Sequence, residues 1–516
     1  MTLKFARLAC MVATLLFVGL VASQAQTYNM LTGFNPSFGE NPLGPLVQGV
    51  DGNLYGVAET GGNTNSICPP TEGLIGAGCG AIFKVSPAGQ LTMLYEFCSV
   101  SDCTDGAQPV GSLTLASNGN FYGATVLGGN NNQGTVFKIT PAGQLTTLYS
   151  FCSKANCADG ASPVGGLVQG LNGSIFGVTT YGGAFNNSTC FLAYHEVGCG
   201  TLFEISPADQ LTTLYSFCAQ SDCADGSVPE AGLTLGSDGN LYGTTFGGGS
   251  STVATCPQQG CGTVFRLSAF GHLSTIHTFC SLSSCRDGQN PSIGLTQAAN
   301  GKLYGLASTS FFSINASGKL ISGFQGRGLL STNGLMQATD GNLYGTQFSG
   351  GTNNNCSEAS ACGSIIRLAT GTGLSTLYSF CPETGCPDGA SPATGVMQAT
   401  NGILYGTTLF GGPGADQGCT AHGNGGCGVV FSMSLNLSPF VQTVFNFAKV
   451  GGTVGILGNN LAGTTNVTFN GATAAFTVVS STFIKAIVPS GATTGTIQVK
   501  TPSGTLSSNV QFHVVQ

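Results

Sequence analysis

"DGNLYGTTFGGG", residues 238–249, decides the fold, because the chain keeps returning to it. Its core recurs as DGNLYG at 51, NGNFYG at 118, NGSIFG at 172, DGNLYG at 238, NGKLYG at 300, DGNLYG at 340 and NGILYG at 401. The aromatic positions Tyr55, Tyr122, Phe176, Tyr242, Tyr304, Tyr344 and Tyr405 are 67, 54, 66, 62, 40 and 61 residues apart. Self-similarity at that period signals a repeat architecture. Each copy carries four short apolar segments in fixed order, of the types GGLVQG, NLYGTT, GTVFKIT and QLTTLYSF. Asp-Gly or Asn-Gly joins the first to the second, and PAGQ (141–144) joins the third to the fourth; both are tight-turn chemistry. Four hairpin-linked strands form a meander, and one such sheet cannot cover both of its own faces.

The sequence therefore predicts an all-β fold, a seven-bladed β-propeller of four-stranded blades over residues 26–436. The seventh copy has its third strand, GVVFSMS (428–434), but no LTTLYSF follows. The missing strand type stands at the other end of the chain, as YNMLTGF (28–34). The N-terminal strand is thus predicted to pair with 428–434 and close the ring. Blades covered on both faces leave few positions for charge, in keeping with a chain that is 7% charged and holds 81 glycines.

Residues 1–25 read as an export signal: Lys4 and Arg7 precede the apolar run LACMVATLLFVGLVA, and Ser23 and Ala25 are the small residues a signal peptidase needs. That run is shorter than the roughly 20 residues of a membrane span, and no later stretch is apolar enough, so no span is expected after cleavage. The mature chain carries 12 Lys and Arg against 21 Asp and Glu, which disfavours nucleic acid as a partner. A monomer is expected.

With Cys10 discarded in the signal, 20 cysteines remain, and in an exported chain an even number favours disulfides. They fall into two local classes. Between the second and third strands the expected pairs are Cys68–Cys79, Cys190–Cys199, Cys256–Cys261, Cys356–Cys362 and Cys419–Cys427. In the crossings to the next blade a CxxxxC spacing pairs Cys98–Cys103, Cys152–Cys157, Cys218–Cys223, Cys280–Cys285 and Cys381–Cys386. Strand alternation places both classes on one face of the disc and the tight turns on the other. Zinc at CxxxxC is the rejected alternative, since a site needs four ligands and the export context opposes it; no cofactor or metal is expected.

The motifs DGNLYGTT..GG, GTVFKITPAGQLTTLYSF and CxxxxCxDG resemble the bacterial GloVer (Gloeobacter and Verrucomicrobia type) tandem-repeat family over about residues 28–434. The resemblance implies export and display or secretion, without a defined activity. Residues 437–516, with alternating β-branched residues, Gly turns and NVTFNG and FIKAIVPSGATTGTIQV, resemble the IPT/TIG domain, which implies a C-terminal Ig-like β-sandwich.

Chemistry is sparse. His272 and His277 replace residues of the repeat at ordinary strand positions, and His513 lies in the last strand. Asp105, Asp159, Asp225, Asp287 and Asp388 recur before Gly, where Asp caps its own turn. No GxSxG, HExxH or phosphate loop is present, and the chain holds no Trp for an Asp-box sialidase. Glu196 beside His195 is the nearest approach to an acid–base pair. No catalytic residue is assigned. The candidate binding surface is the cysteine-bearing face, with Asn186, Asn187, Phe191, Tyr194, His195 and His422 on its loops. The function expected is that of an exported, non-catalytic binding protein whose ligand is a glycan or another surface protein. The alternative is an extracellular polysaccharide hydrolase or lyase.

Overall fold

The computed structural model describes residues 26–35, 39–65, 67–68, 78–185, 190, 198–249, 256, 260–308, 310–325, 334–356, 361–369, 373–413 and 426–515. Up to residue 434 these form seven four-stranded antiparallel sheets, each open, and in six of them each strand pairs with its chain neighbour. Sheet 1 comprises Val47–Gln48, Leu54–Ala58, Ala81–Val85 and Leu91–Glu96. Sheets 2 to 6 repeat that order within residues 107–150, 161–216, 234–278, 296–325 and 336–379. Sheet 7 takes Met397–Gln398, Leu404–Thr407 and Val429–Ser434, and its fourth strand is Thr27–Gly33 from the start of the chain. The two pair antiparallel from Thr27 opposite Ser434 to Gly33 opposite Val429.

The repeated motif is a turn that fastens its own strand. In the fourth copy Gly239 takes φ 78°, Asp238 Oδ1 accepts the Asn240 N–H at 3.1 Å, and Tyr242 donates its hydroxyl to Asp238 Oδ2 at 2.7 Å. Burial, and then that bond, pushes the Tyr242 hydroxyl up to about 12. Where Asn replaces Asp the direction reverses, and Asn118 donates to the Tyr122 oxygen at 2.9 Å.

The glycine after the aromatic serves packing rather than backbone freedom. Gly243 faces Phe265 across the strand pair, and a methyl there would overlap the ring. In sheet 6 the facing residue is Ile366, and a Cβ on Gly345 would meet Leu335 Cδ2 at 3.0 Å and the Gly334 carbonyl at 3.8 Å, with no ring in the way. Gly243→Ala is therefore expected to cost about 2–3 kcal/mol by overpacking and Gly345→Ala less than about 1 kcal/mol. Denaturant melts of the two variants check this, and equal losses would refute it.

At six of the junctions consecutive sheets are joined by a Phe just beyond the fourth strand. Phe97, Phe151, Phe217 and Phe279 meet Phe137, Phe203, Phe265 and Phe312 of the next sheet, with centroids 5.0–5.3 Å apart. Phe380 meets Phe431 of sheet 7 in the same way. Phe34, just beyond the N-terminal strand, meets Phe83 of sheet 1 at 5.0 Å. A polar latch adds to this. The backbone N–H of Thr400 in sheet 7 donates to Gln48 Oε1 of sheet 1 at 2.9 Å. Ser117, Ser237, Ala299 and Thr339 do the same to Gln169, Gln297, Gln337 and Gln398 of the following sheets.

Residues 442–515 form two further four-stranded sheets and a short parallel pair, Phe447–Lys449 with His513–Val515. Val454, Ile456, Val467, Phe469, Ile484 and Val499 are buried in one cluster between them, an Ig-like core of its own. This domain docks on the tight turns. Thr482 donates to the Val50 carbonyl at 2.8 Å, the Phe440 N–H to the Thr400 carbonyl at 3.0 Å, and Asn459 Nδ2 to Thr400 Oγ1 at 2.8 Å.

Candidate functional site

Each second strand runs from a tight turn to a loop, so the loops lie at the strand ends away from the docked domain. There the structure pairs Cys68–Cys79, Cys98–Cys103, Cys152–Cys157, Cys190–Cys199, Cys218–Cys223, Cys256–Cys261, Cys280–Cys285, Cys356–Cys362 and Cys381–Cys386. Cys427 is also disulfide-bonded, and Cys419 lies outside the described residues. In a chain-entropy account a six-residue covalent loop is worth about 2 kcal/mol, so each bridge fixes a loop more than it fixes the fold. All ten crossing cysteines take left-handed backbone, φ 48–64°, a conformation that disfavours side chains and that the short ring holds in place.

The two bridge classes meet. The sulfurs of Cys68, Cys79, Cys98 and Cys103 lie within 4.8 Å of one another, as do those of Cys190, Cys199, Cys218 and Cys223, all largely or wholly buried. Cys68 and Cys98 approach to 3.9 Å, Cys256 and Cys280 to 3.7 Å. The four-ligand count that counted against zinc is thus present in space, but a sulfur in a disulfide is not a thiolate and does not ligate. Loop and crossing form one covalently stiffened unit at the base of the face.

Asp105, Asp159, Asp225 and Asp287 are almost wholly buried and Asp388 partly so, and their role differs from the one read in the sequence. They bind the crossing that precedes them rather than their own turn. Asp159 Oδ2 accepts the Tyr149 hydroxyl at 2.7 Å and the Ser153 N–H at 2.9 Å, while Oδ1 takes the Lys154 N–H at 3.1 Å. Asp105, Asp225 and Asp388 repeat this with Tyr95, Tyr215 and Tyr378. Burial first, and the carboxylate second, push those phenols well above their ordinary range. In sheet 4 the tyrosine is replaced by His277, whose Nε2 stands 3.4 Å from Asp287 Oδ2 and whose imidazolium is disfavoured by burial. His272 is exposed and precedes its strand, so it occupies the turn rather than the strand. His513 stacks on Phe447 at 4.8 Å.

Two carboxyls escaped the sequence reading. Glu59 follows the second strand of sheet 1, and its Oε2 is shut from solvent without a hydrogen-bond partner. Glu230 precedes the first strand of sheet 4. Burial raises each from 4.5 to about 7. Both belong to the loop side. The signal was available: Glu59 replaces Val126 or Thr180, and Glu230 replaces Val110 or Val164, at matched repeat positions. Asn186, Asn187, Phe191, Tyr194, His195 and His422, the loop residues singled out above, lie outside the described residues, as does the signal segment 1–25. Among the described residues no helix is long and apolar enough to cross a membrane.

A family model, the Gloeobacter/Verrucomicrobia repeat, matches residues 21–191 and 192–320, and the IPT/TIG domain matches residues 439–514. No curated protein matches the chain. Among solved structures, a streptogramin B lyase is 14% identical with a TM-score of 0.48, over 80% of this chain and 99% of that one. A fungal alcohol oxidase of the AA5 family, in complex with copper, is 11% identical with a TM-score of 0.50, over 95% and 99%. PorZ, a surface component of the type-IX secretion system of Porphyromonas gingivalis, is 12% identical with a TM-score of 0.45, over 90% and 58%. At such identities the likeness bears on the fold alone.

Proposed function

This chain belongs to the Gloeobacter/Verrucomicrobia repeat family and carries an IPT/TIG domain, and from that membership we propose that it is an exported, non-catalytic binding protein. In this reading residues 1–25 are its signal, residues 26–436 form a seven-bladed propeller closed by the N-terminal strand, and residues 437–516 are a separate Ig-like unit. The loop face takes an extracellular glycan or a surface protein. The observation that carries the reading is the asymmetry of the two ends of the strands. The tight turns are partly covered by the Ig-like domain, while the opposite ends hold loops clipped at their bases by paired disulfides. Rigid loops on a scaffold, left uncovered, are where recognition concentrates.

The test is a glycan array run beside a polysaccharide-hydrolysis screen on the purified mature chain. Retention of a glycan class without turnover is the expected result. Turnover that disappears on changing a single acidic residue overturns the reading in favour of an extracellular hydrolase or lyase.

A further inference from the structure

The latch between consecutive sheets is broken at two junctions, and both are broken the same way. At five junctions a turn residue of the type Ser, Ala or Thr donates its N–H to a Gln of the next sheet. Between sheets 1 and 2 the matched pair is Val50 and Leu115; between sheets 3 and 4 it is Leu171 and Leu235. A polar latch has become an apolar notch in each case. The first notch is filled, because Val50 and Leu115 share a cluster with Val444, Leu457 and Phe483 of the Ig-like domain. The second is open, a cavity of about 170 Å³ lined by Leu171, Asn172, Phe176, Glu204, Leu235 and Leu267, among others.

Two further departures from the repeat converge on that open notch. Phe176 is the one Phe among six Tyr at its position, so the hydroxyl that binds the turn elsewhere is missing from the cavity wall. At the tip of the Ser268–Gly271 turn, whose other residues line the cavity, Phe270 stands where other copies carry Ala88, Ala142, Ala208 or Ser317, and it is 99% exposed. Leu171, itself 42% exposed, also lines a second, neighbouring cavity whose other wall carries Val444, Phe445 and Phe447 of the Ig-like domain, so the patch adjoins the established Ig-like interface.

We infer that this notch is a docking surface for a second copy of the chain, with Phe270 of each copy seated in the notch of the other. A knob placed directly beside a hole on one surface is self-complementary under two-fold symmetry, and Phe270, 99% exposed, leaves the hole beside its own turn unfilled. The chain's low charge density leaves little repulsion to oppose the contact. A reversible dimer is thereby set against the monomer expected from the sequence.

Sedimentation of the full mature chain over roughly 1–200 µM tests this, alongside Phe270→Ser, the latch-restoring double variant Leu171→Ser/Leu235→Gln, and Phe185→Ser as a control on the loop side. Concentration-dependent dimerisation is expected, weakened at least ~30-fold by the first two variants and unchanged by the third, as for an aromatic anchor at an interface centre. Unaltered circular dichroism of Phe270→Ser, a change at a fully exposed side chain, separates lost association from lost folding. A wild-type chain that remains monomeric throughout overturns the inference, and so does a dimer that both notch variants leave intact.

Discussion

Deletion of residues 26–34 is expected to abolish cooperative folding or lower the melting temperature by more than ~20 °C. That segment binds three sheets at once. It supplies the fourth strand of sheet 7. Tyr28 stacks on Tyr378 of sheet 6, centroids 4.1 Å apart, and donates its hydroxyl to the Asp388 carbonyl. Phe34, 3% exposed, packs against Phe83 of sheet 1. Truncating one buried Phe alone costs about 3–5 kcal/mol, and the deletion loses a ladder and a second aromatic besides. The sum approaches the whole 5–15 kcal/mol by which domains are stable, and it bares the 429–434 edge to aggregation. Thermal melts with size-exclusion chromatography give the readout, and addition of a synthetic 26–36 peptide should restore a compact species. A truncated chain melting within a few degrees of the intact one would show that the strand is ornamental. Phe34→Ala alone should cost about 3–4 kcal/mol.

Stability should fall as pH rises from about 4.5 to about 7, the reverse of the behaviour of paired carboxylates. Glu59 and Glu230 are both raised from 4.5 to about 7 by burial in the folded chain. Between those values the unfolded state releases its protons while the folded state retains them. Each group therefore contributes nothing adverse below about 4.5 and an increasing penalty up to about 7, levelling beyond it. A full shift of that size corresponds to roughly 3 kcal/mol per group, less where water reaches the half-buried Glu230 carboxyl. Glu59→Gln and Glu230→Gln should each flatten the profile of unfolding free energy between pH 5 and pH 7.5 by about 1–3 kcal/mol, with little change in slope elsewhere. Because an amide has its own hydrogen-bonding needs, the slope rather than the absolute stability is the quantity to compare. Parallel profiles for wild type and both variants would show that neither carboxyl is desolvated.

Much of this architecture was legible because the repeat states each rule several times. The strand order, the Asp-Gly turns and the identity of YNMLTGF as a displaced fourth strand follow from comparing copies, and the last emerges from what the seventh copy lacks. The cysteine pairs follow because copies hold or lack them together. What the copies could not reveal is contact between segments that covary only through space. The approach of Cys68 to Cys98 needs the loop and the crossing to fold to the same side. The bond from Tyr95 to Asp105 had a signal, a ten-residue offset shared by Tyr149 and Asp159 and by Tyr215 and Asp225, but a turn-capping rule of shorter range masked it. Glu59 and Glu230 are legible only as exceptions, since their meaning lies in burial that no local rule describes. The loop residues named as ligands' contacts, Asn186 to His195 and His422, rest on sequence reasoning alone.

The stacked bridges have a consequence for how such a molecule changes. Because a loop pair and its neighbouring crossing pair are joined at the strand ends, whatever sequence lies between the half-cystines is mechanically isolated from the strand register below. The second copy, without a loop pair, and the first, whose Cys68 and Cys79 stand at a sequence separation of 11, carry the same ladder beneath. Inserts of differing length and composition can thus be exchanged as cassettes, each arriving with its own clasp, while the rack that holds them stays the same.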